Sequence, residues 1–500
     1  MNRRRFPFLA PVSLALATAV LTLGACRKTE TEPMQVAVIG AGPMTLGEAV
    51  AVPASEAQAN LRLNLAQGLV RFNGGGEVEP GLAERWNVSD DGLSYIFRLA
   101  AGEWPDGRKL LARDVARILK RQVEASRANA TRDALGAVTD VVAMTDRVIE
   151  IQLAAPRPTL LELLAQPDMA LIREGVGSGP FAVRPRDELK ATDDPAIWRL
   201  TRQVRGVDGE ANVRDEVRLR ALPVASAIAG FRGGSLDLVL GGTLDDLPLV
   251  TRLKLPRGAL RFDPANGLFG LVPGRVDGPL AIPDVRRLLS QAIDRNALVA
   301  ALGVPGLGPR ATTLQAGLEG LADPVQPPWL AQPLAERRPA LIAEAQRLFG
   351  AAPRPHVAVA LPAGRGGELL YKRLFADWGA LGIVVDRASP GAKADLTFID
   401  AVAPSASPAW FLRHFRCSQT PICVVEAGPL LDAARTAPDA AQRGALIGQA
   451  AALIDEATLF IALAAPVRWS LVGDRATGYQ DNRFARHPLA DIMRRDPRGF

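Results

Sequence analysis

Histidine is nearly missing from this chain of 500 residues: His356, His414 and His487 are the three, and they lie too far apart to share a metal-ligand spacing. Beyond Arg3-Arg4-Arg5, lysine and arginine form no blocks, so the sequence gives no sign of a nucleic-acid surface and no nucleic acid is expected as partner. There is no G-x-S-x-G elbow, and no pair of carboxylates stands apart from ordinary turn and cap positions. No short-period repeat or low-complexity tract appears either. These absences point away from a catalyst, and no metal or other cofactor is expected. Cysteine is also scarce, with Cys26, Cys417 and Cys423 alone.

Apolar runs long enough to cross a bilayer are likewise absent, except at the start. The chain opens MNRRRFPFLAPVSLALATAVLTLGAC, in which three arginines precede an uncharged stretch from Phe6 to Leu23. This is the pattern of a secretory signal, here assigned to residues 1–25, with a transmembrane anchor as the alternative. Leu23-Gly24-Ala25-Cys26 resembles the lipobox of bacterial lipoproteins, where cleavage leaves the cysteine as a lipid-bearing N-terminus. Such processing would place the protein in the periplasm or on the outer face of the cytoplasmic membrane, tied down through Cys26. Residues 26–33 then read as a polar linker. Removing Arg3, Arg4 and Arg5 lowers the formal charge from +6 to +3, spread over a body that is 48% apolar. The length suggests two or three domains.

Next comes QVAVIGAGPMTLG, a strand-like run that stops at Gly40-Ala41-Gly42. Glycines in this position can bring backbone to a pyrophosphate. Two details oppose a dinucleotide: Thr45 stands where the fingerprint needs a third glycine, and Pro43 removes an N–H donor. A strand followed by a turn is the simpler expectation.

Further along, strand and helix signals interleave, giving an α/β or α+β chain. Ser94 to Leu99 alternates as a strand, Asp106-Gly107 marks a turn, and Asp114 is expected to cap a helix that buries Val115, Ile118, Leu119 and Val123. GPLAIPDVRRLLSQAIDRNALV, residues 278–299, reads as an amphipathic helix starting near Asp284. PALIAEAQRLFG closes a helix at Gly350, and Leu370, Leu374, Trp378 and Leu381 form a stripe leading into a strand.

In order and spacing, PGLAERW, SDDGLSYIFRL, EWPDGRKLLARDV, GSGPF, FRGGSLDLVLGG, the 278–299 helix and the closing GYQDNRFARHPLADIM resemble bacterial extracellular solute-binding protein family 5. These are receptors of ABC importers for dipeptides, oligopeptides, nickel complexes and related solutes. The resemblance covers nearly all of residues 35–495. It implies an α/β, two-lobed periplasmic-binding-protein clamshell, type II-like, with an extra subdomain in lobe one. Lobe one would comprise 34–58, 170–265 and 480–500, the subdomain 59–169, and lobe two 266–479. It also implies capture of a peptide or peptide-like solute by a monomer, and delivery to an ABC permease and ATPase complex with no chemistry catalysed.

Peptide-binding members carry an aspartate four residues before a proline, where it meets the ligand's amino group. In FIDAVAPSASPAWFLRHF that place, counted from Pro408, is Pro404, and the nearest acid is Asp400. A buried ammonium without a counter-charge is costly, so amine recognition has no obvious residue, with Asp400 as a substitute or as a plain strand-end residue. Trp410, Arg413 and Arg416, three apart, would share one helical face and form either a cleft wall for an anionic group or a solvated basic face over a packed Trp410. Gln67 and Phe269 are further cleft candidates by motif position. Cys417 and Cys423 either form a disulfide or leave a thiol near His414. Three alternatives stay open: a receptor for a non-peptide organic anion, a clamshell serving as a sensor or interaction module without uptake, and a secreted thiol or redox enzyme.

Overall fold

The computed structural model describes residues 32–47, 55–126, 135–183, 194–204, 213–350, 354–389 and 392–493. The signal-like segment, Cys26 and the end of the chain lie outside these residues. Among the described residues no helix is long and apolar enough to cross a membrane.

A seven-stranded mixed sheet runs in the spatial order Ala182–Val183, Trp198–Val204, Val213–Leu222, Met34–Ile39, Leu238–Thr243, Arg468–Val472 and Leu260–Phe262. Met34–Ile39 is its central strand and is parallel to both neighbours. Val36, Ala37 and Val38 are all fully buried, which explains an apolar run without alternation. Residues 40–47 form no helix, and Gly42 takes φ +94°, so the glycines shape a turn. The next helix among the described residues, Glu56–Leu65, begins at a capping box between Ser55 and Gln58. No helix N-terminus therefore follows the glycines directly, as a dinucleotide cradle would require.

The second sheet orders Val384–Arg387, His356–Ala360, Leu396–Val402, Gly267–Pro273 and Ile461–Ala462. The chain passes from the first sheet to the second between Phe262 and Gly267, and returns between Ala462 and Arg468. Arg468–Val472, expected in lobe two, is thus a strand of the first sheet. Packing explains the difference. Gly242 on the neighbouring strand has no side chain, and a Cβ there would lie 2.1 Å from the Trp469 ring. The indole occupies that space and donates from Nε1 to the Thr243 carbonyl at 2.9 Å. Trp469 and Leu471 also join an apolar cluster that continues through Leu244 and Leu247 to Phe269, Leu289 and Trp378 around the second sheet.

A four-stranded antiparallel sheet, Ala83–Val88, Ser94–Leu99, Val148–Leu153 and Val138–Thr145, carries the helix Ala112–Ser126 and a core of its own. Val115, Ile118, Leu119 and Val123 are buried as the helical period predicts. Asp114 is not the cap: the helix starts at Ala112, and Asp114 sits in its first turn beside Arg117 at 3.3 Å.

In the 278–299 segment the expected helix is Pro283–Ala292, and after a break at Ile293 a second helix follows, Arg295–Leu302. Asp294 causes the restart. Its carboxylate accepts from Ala297 N at 2.9 Å, while its own N–H donates to the Asp377 carboxylate at 2.9 Å. Arg295 is then fully enclosed, with its guanidinium donating to the carbonyls of Ser290, Arg310 and Ala462. Burial lowers its pKa to about 9.

Candidate functional site

The antiparallel subdomain meets the helical flank of the second sheet along the loop 403–407. Gln166 Nε2 donates to the Pro404 carbonyl at 2.7 Å, and a Glu162 carboxylate oxygen accepts from Ala406 N at 2.8 Å. Arg157 reaches across the same seam to the Arg435 carbonyl at 2.8 Å. A narrow, partly open pocket lies beside these contacts. Its subdomain wall is Arg157, and its other walls are Glu319 with Gly320, Ser407 to Ala409 at the start of helix Pro408–Arg413, Arg416, and the facing helices Ala427–Thr436 and Ala440–Glu456. Gly444 brings the last helix against the Gly320 carbonyl, which a Cβ would meet at 2.5 Å. Close approach there requires glycine.

Five charged residues interrupt a lining that is mostly apolar. Arg157, Arg416, Arg435 and Arg443 face the space together with the carboxylate of Glu319. Arg443 lies 3.3 Å from Glu319, while Asp432 holds Arg416 at 2.9 Å and Arg435 at 3.5 Å from the flank. Burial raises the pKa of Glu319, against the pull of Arg443 and Arg157. Leu431, Ala434 and Ile447 supply an apolar floor.

Burial raises the carboxyl pKa at Asp246, Asp377, Asp400 and Asp455 as well. A carboxyl raised in the fold keeps a proton that the unfolded chain releases. Its contribution to stability is therefore full below the ordinary carboxylate range and is lost as pH rises through the folded value. The exposed acids with lowered pKa, Asp91, Asp140, Asp277 and Glu344, lose their contributions only below that range. The melting temperature is thus expected to increase as pH falls from 7 toward about 5, where ordinary carboxylates remain ionised. A steady fall in thermal scans across that interval would contradict this balance.

The structure distributes the six candidates unevenly. Arg416 lines the pocket. Trp410 is 6% exposed and packs with Phe411 and Phe415 in an apolar cluster, and Arg413, 7% exposed, lies over the Trp410 ring at 5.7 Å. The helix ends at Arg413, so Arg416 follows in a turn and the three do not form one exposed wall. Phe269 is fully buried, edge-on to Phe398. Gln67 borders a smaller, separate pocket, with its carbonyl accepting from Leu171 N at 3.0 Å. Asp400 sits within Leu396–Val402 and is held by Arg468 at 2.7 Å, so its carboxylate joins the two sheets. Pro404, where the resemblance led to the search for an aspartate, has its carbonyl taken by Gln166. Cys417 and Cys423 form a disulfide, with S–S 2.06 Å, which removes the thiol beside His414 and closes a short loop directly after Arg416.

Residues 77–353 match the family model for the bacterial extracellular solute-binding proteins, family 5 Middle, more than half of the chain. The chain belongs to this family. The solute-binding protein is 26% identical to a probable di/tripeptide-binding protein 5 of Pseudomonas aeruginosa, over 97% of this chain and 98% of the relative. In structure it resembles the murein tripeptide binding protein MppA of Escherichia coli, with TM-score 0.74 and 19% identity over 91% and 97% of the two chains. It also resembles Haemophilus influenzae OppA in complex with RPPGFSPFR, with TM-score 0.73 and 17% identity over 92% and 98%. At these identities the likeness establishes the fold, a two-lobed α/β periplasmic binding protein. Sequence reasoning missed Arg157, Glu319, Arg435 and Arg443, because each stands alone in its local stretch. Gly444 beside Arg443 was the one local signal of a close approach.

Proposed function

We propose that this solute-binding protein captures a peptide or peptide-like solute outside the cytoplasm and delivers it to an ABC permease in the membrane, acting as a monomer without catalysis. Support comes from its similarity to a di/tripeptide-binding relative along nearly the full length of both chains, and from a pocket whose walls belong to different parts of the fold. Lobe one comprises 34–58, 170–265 and 468–500, the subdomain 59–169, and lobe two 266–467. A solute touching both sides of the seam stabilises the closed form by its differential contacts, and closure is what a permease distinguishes. Lipid on Cys26 tethers the protein to the membrane, and Cys26→Ala is expected to release it; retention of the variant in washed membrane fractions would argue against the anchor. The capture reading is tested by native mass spectrometry of protein purified from its own cell envelope. Release of short peptides on denaturation is expected, and a single non-peptide species would replace the peptide reading.

A further inference from the structure

We propose that an open groove between helix Leu247–Val250 of lobe one and helices Arg295–Leu302 and Arg365–Gly379 of lobe two docks the permease, by taking an acidic segment of the membrane subunit that also carries an apolar face; the inference rests on the delivery reading. The groove shares no lining residue with the pocket beside the 403–407 loop, so solute and permease would engage different surfaces. Charge selects the occupant. Arg252, Arg365, Lys372 and Arg373 line the groove with a single acid, Glu368. That acid is shared between Lys372 at 3.5 Å and Arg387 at 2.9 Å, while buried Asp377 holds Arg373 from behind at 2.5 Å. Arg252, Arg365 and Lys372 are exposed, so their charges reach a partner approaching from outside. Complementary charge on that partner means acid.

The floor sets the second requirement. Pro248, Leu298 and Leu369 make it apolar, and Ala297, Ala301 and Ala376 leave room for another backbone to come close. Phe375, 54% exposed and three residues past Lys372, extends the apolar surface along the same helix. The two walls belong to different lobes, since Pro248 and Arg252 come from lobe one and the rest from lobe two. Beneath them the lobes touch. Gly366 admits the Leu244 carbonyl, which a Cβ would meet at 2.0 Å. Any rotation of one lobe against the other changes the separation of Arg252 from Arg365 and Lys372, and with it the spacing of cations that an acidic segment must span. A partner seated here therefore reads lobe closure directly, without touching the solute.

Photocrosslinking of the full chain in its own cells tests the groove, with benzoylphenylalanine in place of Phe375 and, for comparison, in place of exposed Met144 or Val325. The expected product is a light-dependent adduct from position 375 with the membrane subunit of an ABC importer, mapped by mass spectrometry to an acidic extracytoplasmic segment. Arg252→Glu and Lys372→Glu should each lower its yield about tenfold, as should high salt, and leave the solute released on denaturation unchanged. Both side chains are exposed, so the reversals spare the fold. Permease adducts from Met144 or Val325 alone would overturn the groove, as would an adduct with a second copy of this chain, or a yield indifferent to both reversals. Charge-dependent sedimentation with phosphatidylglycerol vesicles and no permease adduct would overturn it in favour of a lipid-facing surface. Solute release is read on the same preparation. Bound solute without an adduct at position 375 would remove the groove alone, whereas a charge-dependent permease adduct from protein that releases no solute would uphold the groove and remove the capture reading.

Discussion

Arg468→Ala is expected to destabilise the protein by about 3–5 kcal/mol, the cost of leaving one partner of a buried ion pair uncompensated. Arg468 and Asp400 lie 2.7 Å apart with side chains only 12% and 16% exposed. The guanidinium also donates to the Asp400 and Val467 carbonyls. Burial already raises the pKa of Asp400 despite Arg468, so removing the arginine favours the neutral carboxyl still more. The loss should consequently be larger at pH 8 than at pH 5. Urea unfolding of Arg468→Ala, Asp400→Asn and the double variant checks the point, because the double loss should be clearly less than the sum of the singles. Additive losses, or a single loss below about 1 kcal/mol as for exposed pairs, would show the bridge between the sheets to be solvated and marginal.

Trp469→Ala should cost a similar amount, about 3–5 kcal/mol, through lost burial and the cavity left behind. The indole is 1% exposed, lies against Gly242, and hydrogen-bonds Thr243. It stands on the strand by which the chain re-enters the first sheet, within the apolar cluster that continues to the second. Gly242→Val attacks the same contact from the other side, since its Cβ would overlap the ring and force one strand to shift. Both variants should lower the melting temperature strongly. If Gly242→Val melted like the parent, the contact would not be what selects this strand's place.

Particular residues show how far sequence reading reached. Of the stripe Leu370, Leu374, Trp378 and Leu381, the first three are buried on the helix because a 3.6-residue period survives in the local pattern, while Leu381 lies past the helix end and is half-buried. Asp294 stands at the end of the helix expected from Asp284 to Ile293, but that it also caps a second helix shows only once Ala297 N and Asp377 are in place. Trp410, Arg413 and Arg416 show where helical spacing stops being a guide. Trp410 and Arg413 share a helical face as their spacing of three suggests, but the helix stops at Arg413, so Arg416 leaves that face, and the Trp410 ring packs in the core as one of the two readings has it.

The pocket was the least legible part. Arg157, Glu319 and Arg435 are separated by more than a hundred residues at each step, and only the packing of the subdomain against the second lobe makes them neighbours. By itself the sequence determined the family, the α/β class, the glycine turn after the first strand and the apolar faces of the helices, because these depend on short-range order and local periodicity. Tertiary structure alone decided that Asp400 is taken by Arg468, that Arg468–Val472 returns to the first sheet, and that four arginines converge on one space. Charge pairing and close packing act through space, between residues whose separation along the chain carries no trace of their contact.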